Sequence, residues 1–200
     1  MMDMNTLALL NMGLIHAPVV GGLPAIEDGG QRVVVARNGV FIQYESDWLK
    51  AVKRVGDMGA SLPYGEISEN IELRFKRFPK PLIAAFHEQA KKAFPNEAFA
   101  YIHWHQETNS IKLVPAVVLE ATEERIAYGH VEVMEGWQCI GDIHSHPRAK
   151  AYYSEDDNED DKEGVKCSFV IGLSNDMTIN SVVGRFCLFG TYTKMTEAHY

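Results

Sequence analysis

Two hundred residues, 46% of them hydrophobic and 23% charged, fit a soluble globular chain of one or two small domains with an ordinary core. A net charge of −8 with no basic run argues against nucleic acid or an anionic membrane as the main partner. The cysteines are odd in number and unpatterned, at Cys139, Cys167 and Cys187, which points to a reducing cytoplasm rather than a disulfide framework.

Residues 1 to 30 read as an irregular segment punctuated by Gly and Pro. Their apolar stretch LALLNMGLIHAPVVGG lacks a positive leading region and carries Asn11 and His16, so it is read as neither signal peptide nor membrane span. RVVVARNGVFIQYE (32 to 45) predicts a hairpin, with Asn38-Gly39 supplying the positive φ of a tight turn. Ser46 then predicts the cap of a short helix carrying Trp48, Leu49, Val52 and Val55 and ending near Gly56. LPYGE (62 to 66) is a turn, and Ile71, Leu73 and Phe75 alternate with charged neighbours as a half-buried strand.

From Pro81 the pattern predicts a helix over 81 to 94, on which Leu82, Ile83, Phe86, Ala90 and Phe94 recur at helical spacing until Pro95-Asn96 breaks it. Strands follow at 97 to 105, 111 to 120, near 126 to 133, at 137 to 144, 165 to 173 and 177 to 190. A helix begins at Ser154. Mixed helix and strand around a central sheet is an α/β architecture.

The chemistry concentrates in HSHPRAKAYYSEDD, residues 144 to 157. In an extended segment His144 and His146 project to one side while Ser145 points away. Pro147 lacks an N–H and ends ladder pairing, which puts both imidazoles at a strand end beside a cavity. Ser154 followed by Asp157 is a helix-start signature that would hold the aspartate rigidly, with the serine hydroxyl close by. Two imidazoles and one carboxylate make a three-ligand zinc site with a fourth position open to water.

These residues resemble the JAB1/MPN/Mov34 (JAMM) metallopeptidases in the H-S-H-P run, the serine eight positions after the second histidine, and the aspartate three beyond it. The resemblance implies His144, His146 and Asp157 as Zn2+ ligands and Ser154 as a helper that stabilises the oxyanion. It also implies an upstream glutamate as general base, following a helix that ends in a Pro-x-Glu turn. Pro95-Asn96-Glu97 has that shape, which selects Glu97 over Glu88, a mid-helix position. The family's usual glycine three residues after this glutamate is Ala100 here, and its usual aromatic residue two before the first histidine is Asp142. By strand alternation Asp142 shares a face with His144 and is expected to accept from a ligand N–H.

The resemblance covers roughly residues 81 to 190. It implies a JAB/MPN-like (cytidine-deaminase-like) mixed sheet flanked by helices over 81 to 200, preceded by an N-terminal α+β extension, 1 to 80, of unassigned role. The wider layout, with G-V-F leading into W-L and L-P-x-G before the helix, is similar to the A proteins of bacterial PRTRC gene systems. That similarity implies a zinc-dependent peptidase or isopeptidase acting on the tail of a ubiquitin-like protein.

Rival features read blandly. His103-Trp104-His105 is a strand exit with two partly exposed histidines, since Glu107 lies too close to fold back as a ligand. The acid run 155 to 163 lacks the order of a calcium loop and reads as a solvated helix start, with Asp160 as a backup ligand. The three cysteines read as buried structural thiols. Three functions stay open: the peptidase, an inactive scaffold that binds protein, and a zinc hydrolase of small amide conjugates.

Overall fold

In a computed structural model, which describes residues 12–27, 29–129, 134–196 and 199, the chain forms two units, Met1–Lys76 and Arg77–Tyr200. In the first unit β1 (Gly13–His16), β2 (Gly30–Ala36), β3 (Gly39–Glu45), β4 (Leu49–Gly56) and β5 (Asn70–Leu73) make one sheet in that order. The β1–β2 pair is parallel and the rest are antiparallel. Alternation along β2 sends Val34 and Ala36 inward, where they pack with Ala17 and Phe41.

The hairpin turn differs from expectation. Ala36 pairs with Gly39, so Arg37 and Asn38 form the turn and Gly39 opens the strand. The positive φ falls on Gly39 (144°), where a Cβ would lie 2.7 Å from the Gly56 carbonyl. Asn38 instead uses its side chain, donating to the Ile67 carbonyl at 2.7 Å and accepting from the Ile67 N–H at 3.1 Å.

The helix expected after Ser46 is strand β4. Leu49 and Ala51 are buried with a period of two, and β4 lies between β3 and β5, laddered on both sides. The β-branched Val52 and Val55 suit that position, and two ladders outweigh a weak helical spacing. The Ser46 hydroxyl caps the β3–β4 turn, accepting from the Leu49 N–H at 3.3 Å. Among its described residues the regular elements of this unit are therefore strands, and the helix expected after Ser46 is absent.

Among its described residues the second unit has a mixed six-stranded sheet, a two-stranded sheet and two helices. Its elements are α1 (Pro81–Ala93), β6 (Phe99–His105), β7 (Ser110–Pro115), β8 (Val117–Ala121), β9 (Ile126–Gly129), β10 (Trp137–His146), α2 (Glu155–Asp160), β11 (Val165–Leu173), β12 (Ile179–Leu188) and β13 (Thr191–Lys194). The sheet order is β13-β12-β11-β10-β6-β7, with only β10 and β11 parallel and α2 in the crossover between them. Helix α1 opens with Pro81 in its first turn and buries Leu82, Phe86 and Ala90 at four-residue spacing. The strand expected over 111 to 120 is cut at Pro115, which ends β7, and Val117 begins a separate two-stranded sheet of β8 and β9. The remainder of the strand expected over 126 to 133 lies outside the described residues.

The two faces of the sheet differ in chemistry. Ile102, Trp104, Ile143, Cys167, Phe169, Ile171 and Phe186 are buried apolar positions, and the alternate positions hold Tyr101, Asp142, His144, His146, Ser168 and Arg185. A β-bulge makes this arrangement possible. Cys139 pairs with His103 and Gly141 with Ile102, leaving Ile140 as the extra residue. The extra residue resets alternation, so that His144 and His146 join the face occupied by Trp137 and Cys139. Just beyond the bulge, Gly141 crosses so close to β11 that a Cβ would lie 2.0 Å from the Cys167 carbonyl oxygen.

Candidate metal centre

His144 and His146 are the last positions of β10 on the polar face, 6% exposed each. Their Nε2 atoms are 3.1 Å apart. Asp157 approaches from the first turn of α2, with Oδ1 3.2 Å from His144 Nε2 and Oδ2 3.9 Å from His146 Nε2. One ligand atom from each of the three residues falls within 4.8 Å of the others. Tetrahedral zinc with bonds of about 2.0–2.1 Å holds its ligand atoms roughly 3.3 Å apart, so the donor set and its spacing fit that ion. Two ring nitrogens facing each other also repel through their lone pairs unless a proton or cation lies between them.

Glu97 borders the trio, with Oε1 3.7 Å from His146 Nε2. Its placement follows from Ser145, whose side chain projects away from the histidines. The Ala98 N–H donates to the Ser145 hydroxyl at 2.9 Å, and the Ser145 N–H donates to the Ala98 carbonyl at 3.0 Å. These two bonds clamp the start of β6 to the end of β10. A third, from the Glu97 N–H to the Thr122 carbonyl at 2.7 Å, fixes the glutamate backbone itself.

Ser154 is the N-cap of α2 in a reciprocal capping box. Its hydroxyl accepts from the Asp157 N–H at 3.1 Å, and its own N–H donates to Asp157 Oδ2 at 2.7 Å. The hydroxyl also donates to Oδ2 at 2.7 Å. In this geometry the serine proton is directed at the aspartate, orienting the carboxylate so that Oδ1 faces His144.

The electrostatics separate the two carboxylates. Burial pushes the Glu97 carboxyl up to about 7, with His144 opposing and Asp157 adding. Burial also works against ionised Asp157, but His144 and Ser154 outweigh it and hold that carboxyl well below its usual range. For His144 burial favours the neutral ring, yet the hydrogen bond and charge of Asp157 prevail and raise its pKa. Burial and the neighbouring His144 hold His146 down at about 4. A carboxyl whose pKa is lowered by its neighbours thus sits beside one whose pKa is raised by burial.

All five side chains line one cleft of about 500 Å³. Its wall also carries Lys166, Asp161 and Tyr128, which sequence reasoning missed. Lys166 Nζ bridges Asp142 Oδ2 at 2.6 Å and Asp161 Oδ1 at 2.5 Å. Asp142 Oδ2 is thereby paired with Lys166, a partner the expectation of a bond from a ligand histidine did not include. The available signal was a lone cation in each of the apolar strands VKCSFVIGL and INSVVGRFCL, since a buried charge demands a partner.

Two bland readings also change. The strand does end at this pair, with His105 half-buried, but His103 is only 4% exposed and packs near Tyr101. Cys167 and Cys187 are buried, whereas Cys139 is exposed; all three are free. Asp160 lies toward Tyr128, whose hydroxyl donates to Oδ2 at 3.5 Å, and it is outside the three-ligand group. No helix among the described residues is long and apolar enough to cross a membrane.

Residues 79–183, a little over half of the chain, match the family described as prokaryotic homologs of the JAB domain. Residues 2–74 match a domain of unknown function, DUF2016. No curated protein matches the chain. Among solved structures, protein DSY2949 from Desulfitobacterium hafniense is 17% identical, with 58% of this chain and 86% of that one covered at a TM-score of 0.45. AF2198, a JAB1/MPN domain protein from Archaeoglobus fulgidus, is 20% identical, with 57% of this chain and 91% of that one covered at a TM-score of 0.37.

Proposed function

The chain belongs to the prokaryotic homologs of the JAB domain, with the mixed α/β sheet of that fold, and on this footing we propose that it is a zinc-dependent peptidase or isopeptidase. The observation that carries the reading is the convergence of His144, His146 and Asp157, with Glu97 at their margin. Zinc held by those three side chains supplies a Lewis acid and makes water acidic enough to deprotonate near neutral pH.

The chain's own residues supply the proton traffic. Glu97, at the margin of the three ligands, takes a proton from the attacking water and returns it to the leaving amine. Ser154 keeps Asp157 ionised and aimed at His144 through the capping box. Rotation of the same hydroxyl toward the cleft would let it donate to the developing oxyanion.

The substrate we propose is the extended tail of a ubiquitin-like protein, cleaved in the cytoplasm. That choice rests on the resemblance to PRTRC A proteins, encoded beside ubiquitin-like and conjugation-enzyme homologues. The β8–β9 hairpin suits such a substrate: Arg125, Ile126 and Tyr128 line the cleft, while Val117, Val118 and Leu119 are 61%, 50% and 70% exposed. An extended tail can lie against it as an added strand.

The test is incubation of zinc-loaded protein with ubiquitin-like fusions, with Glu97→Gln as control. Cleavage by the wild type and loss of about 10²–10⁴-fold in the variant are expected for removal of a general base. A wild type that binds zinc and cleaves no fusion, nor any small amide conjugate, would be a binding scaffold.

A further inference from the structure

Helix α2 carries Asp157 and, beyond the capping box at its N-terminus, has little of its own to hold it in place. It is six residues long, none of them buried, and an isolated helix of fewer than roughly 12 residues does not persist in water. Its last turn has no basic residue, and Glu159, Asp160 and Asp161 crowd the end where the helix dipole is negative. A cation from elsewhere must offset this.

Lys162 pairs with Glu159 and Lys166 with Asp161 Oδ1, but the cation that reaches along the helix itself is Arg185 of β12, 6% exposed. Its Nε and one terminal nitrogen donate to Asp161 Oδ2 at 2.8 and 2.6 Å. The same terminal nitrogen donates to the backbone carbonyl of Asp157 at 3.2 Å, and the other reaches Asn158 Oδ1 at 2.6 Å. The guanidinium lies over the rings of Tyr153, at 3.6 Å, and Tyr192, at 4.1 Å. Those rings extend the hold: the Tyr192 hydroxyl donates to the Asn158 carbonyl and the Tyr153 hydroxyl to the Ser168 carbonyl, both at 2.7 Å. One side chain therefore engages the residue before the N-cap, the middle of the helix and its C-cap.

We propose that Arg185 is a positioning residue for the metal centre, locking α2 against the sheet so that Asp157 meets His144 and His146 in ligating geometry. The inference rests on the zinc-site reading above. Lysine cannot replace it, because an ammonium lacks the planar fork that reaches three acceptors at once.

Two variants and two readouts test this on the full chain. Arg185→Lys keeps the charge; Tyr192→Phe keeps the ring and removes only the hydroxyl bond to Asn158. Hydrogen exchange of the metal-free protein reads the helix, and competition with a chromophoric chelator reads zinc affinity. Arg185→Lys is expected to speed exchange at the Asn158 and Asp161 amides about ten-fold while β10 is unchanged. Zinc affinity should fall about 10- to 100-fold, as for loss of a group that orients a ligand. Tyr192→Phe should weaken zinc about five-fold, the value of one hydrogen bond, and it decides the matter alone if Arg185→Lys does not fold. Wild-type zinc affinity in the folded variants, or exchange that quickens equally across β10 and β11, overturns the proposal. Failure of the wild type itself to bind zinc overturns instead the reading beneath it.

Discussion

Asp157 is held by Ser154 in a way that divides its carboxylate. Oδ2 accepts from both the N–H and the hydroxyl of Ser154 at 2.7 Å, while Oδ1 faces His144 at 3.2 Å. The helix cap and the candidate metal ligand are thus the same group, so stability and metal binding are linked through it. Ser154→Ala is expected to cost about 1 kcal/mol of stability as a lost N-cap and to weaken zinc about 10-fold through a less ordered ligand. Chemical denaturation and chelator competition on the same sample check both; a stability loss with unchanged zinc affinity would separate the two roles.

The buried Glu97 carboxyl makes a pH prediction for the metal-free protein. Its pKa is about 7 in the fold against an ordinary 4.5, so between those values the folded state binds more protons than the unfolded one. The contribution of Glu97 is fully present below 4.5 and is lost as pH rises through about 7. Glu97→Gln removes that dependence. With chelator present, the variant should match the wild type near pH 4 and exceed it by about 1–3 kcal/mol above pH 7.5, after allowance for solvent screening. Parallel stability curves for the two proteins would show that the carboxyl is not perturbed.

At Gly141 the strands leave no room for a side chain. A Cβ there would meet the Cys167 carbonyl oxygen at 2.0 Å, and both partners are backbone. Gly141→Ala must therefore spread the parallel β10–β11 pair, which runs from Gly141 to His146 on β10. A loss of about 3 kcal/mol or more is expected, the upper range for overpacking. A thermal melt reads it; Gly13→Ala, where a Cβ meets nothing within 4 Å, is the control.

If a substrate tail lies along the β8–β9 hairpin, Val118→Asp should raise KM about 10-fold or more and leave kcat nearly unchanged, since it removes binding common to ground and transition states. A fall in kcat at constant KM would place the tail elsewhere.

Much of the second unit is legible in the sequence because its signals are local. The helix from Pro81, the strand leading to His144 and the cap at Ser154 each announce themselves within a dozen residues, through spacing, Pro and a Ser-Asp pair. Of the residues that line the cleft, the resemblance to the JAMM metallopeptidases picks out His144, His146, Ser154 and Asp157 from one run and Glu97 after Pro95-Asn96. What escaped is non-local. β4 looks helical until β3 and β5 flank it, and the bulge at Ile140 shows only when β10 is laid against β6. The pairing of Asp142 with Lys166 depends on which strands become neighbours, as does the grip of Arg185 on Asp161. His103 and Cys139 were misjudged for the same reason, because exposure belongs to the assembled sheet.

The central claim is that one zinc ion belongs among His144, His146 and Asp157, and metal content of the purified protein tests it most directly. After zinc loading and gel filtration, elemental analysis should find about one equivalent per chain in the wild type and in Glu97→Gln, and under about 0.1 in His146→Ala. Equal zinc in the wild type and His146→Ala, or none in either, would contradict the account.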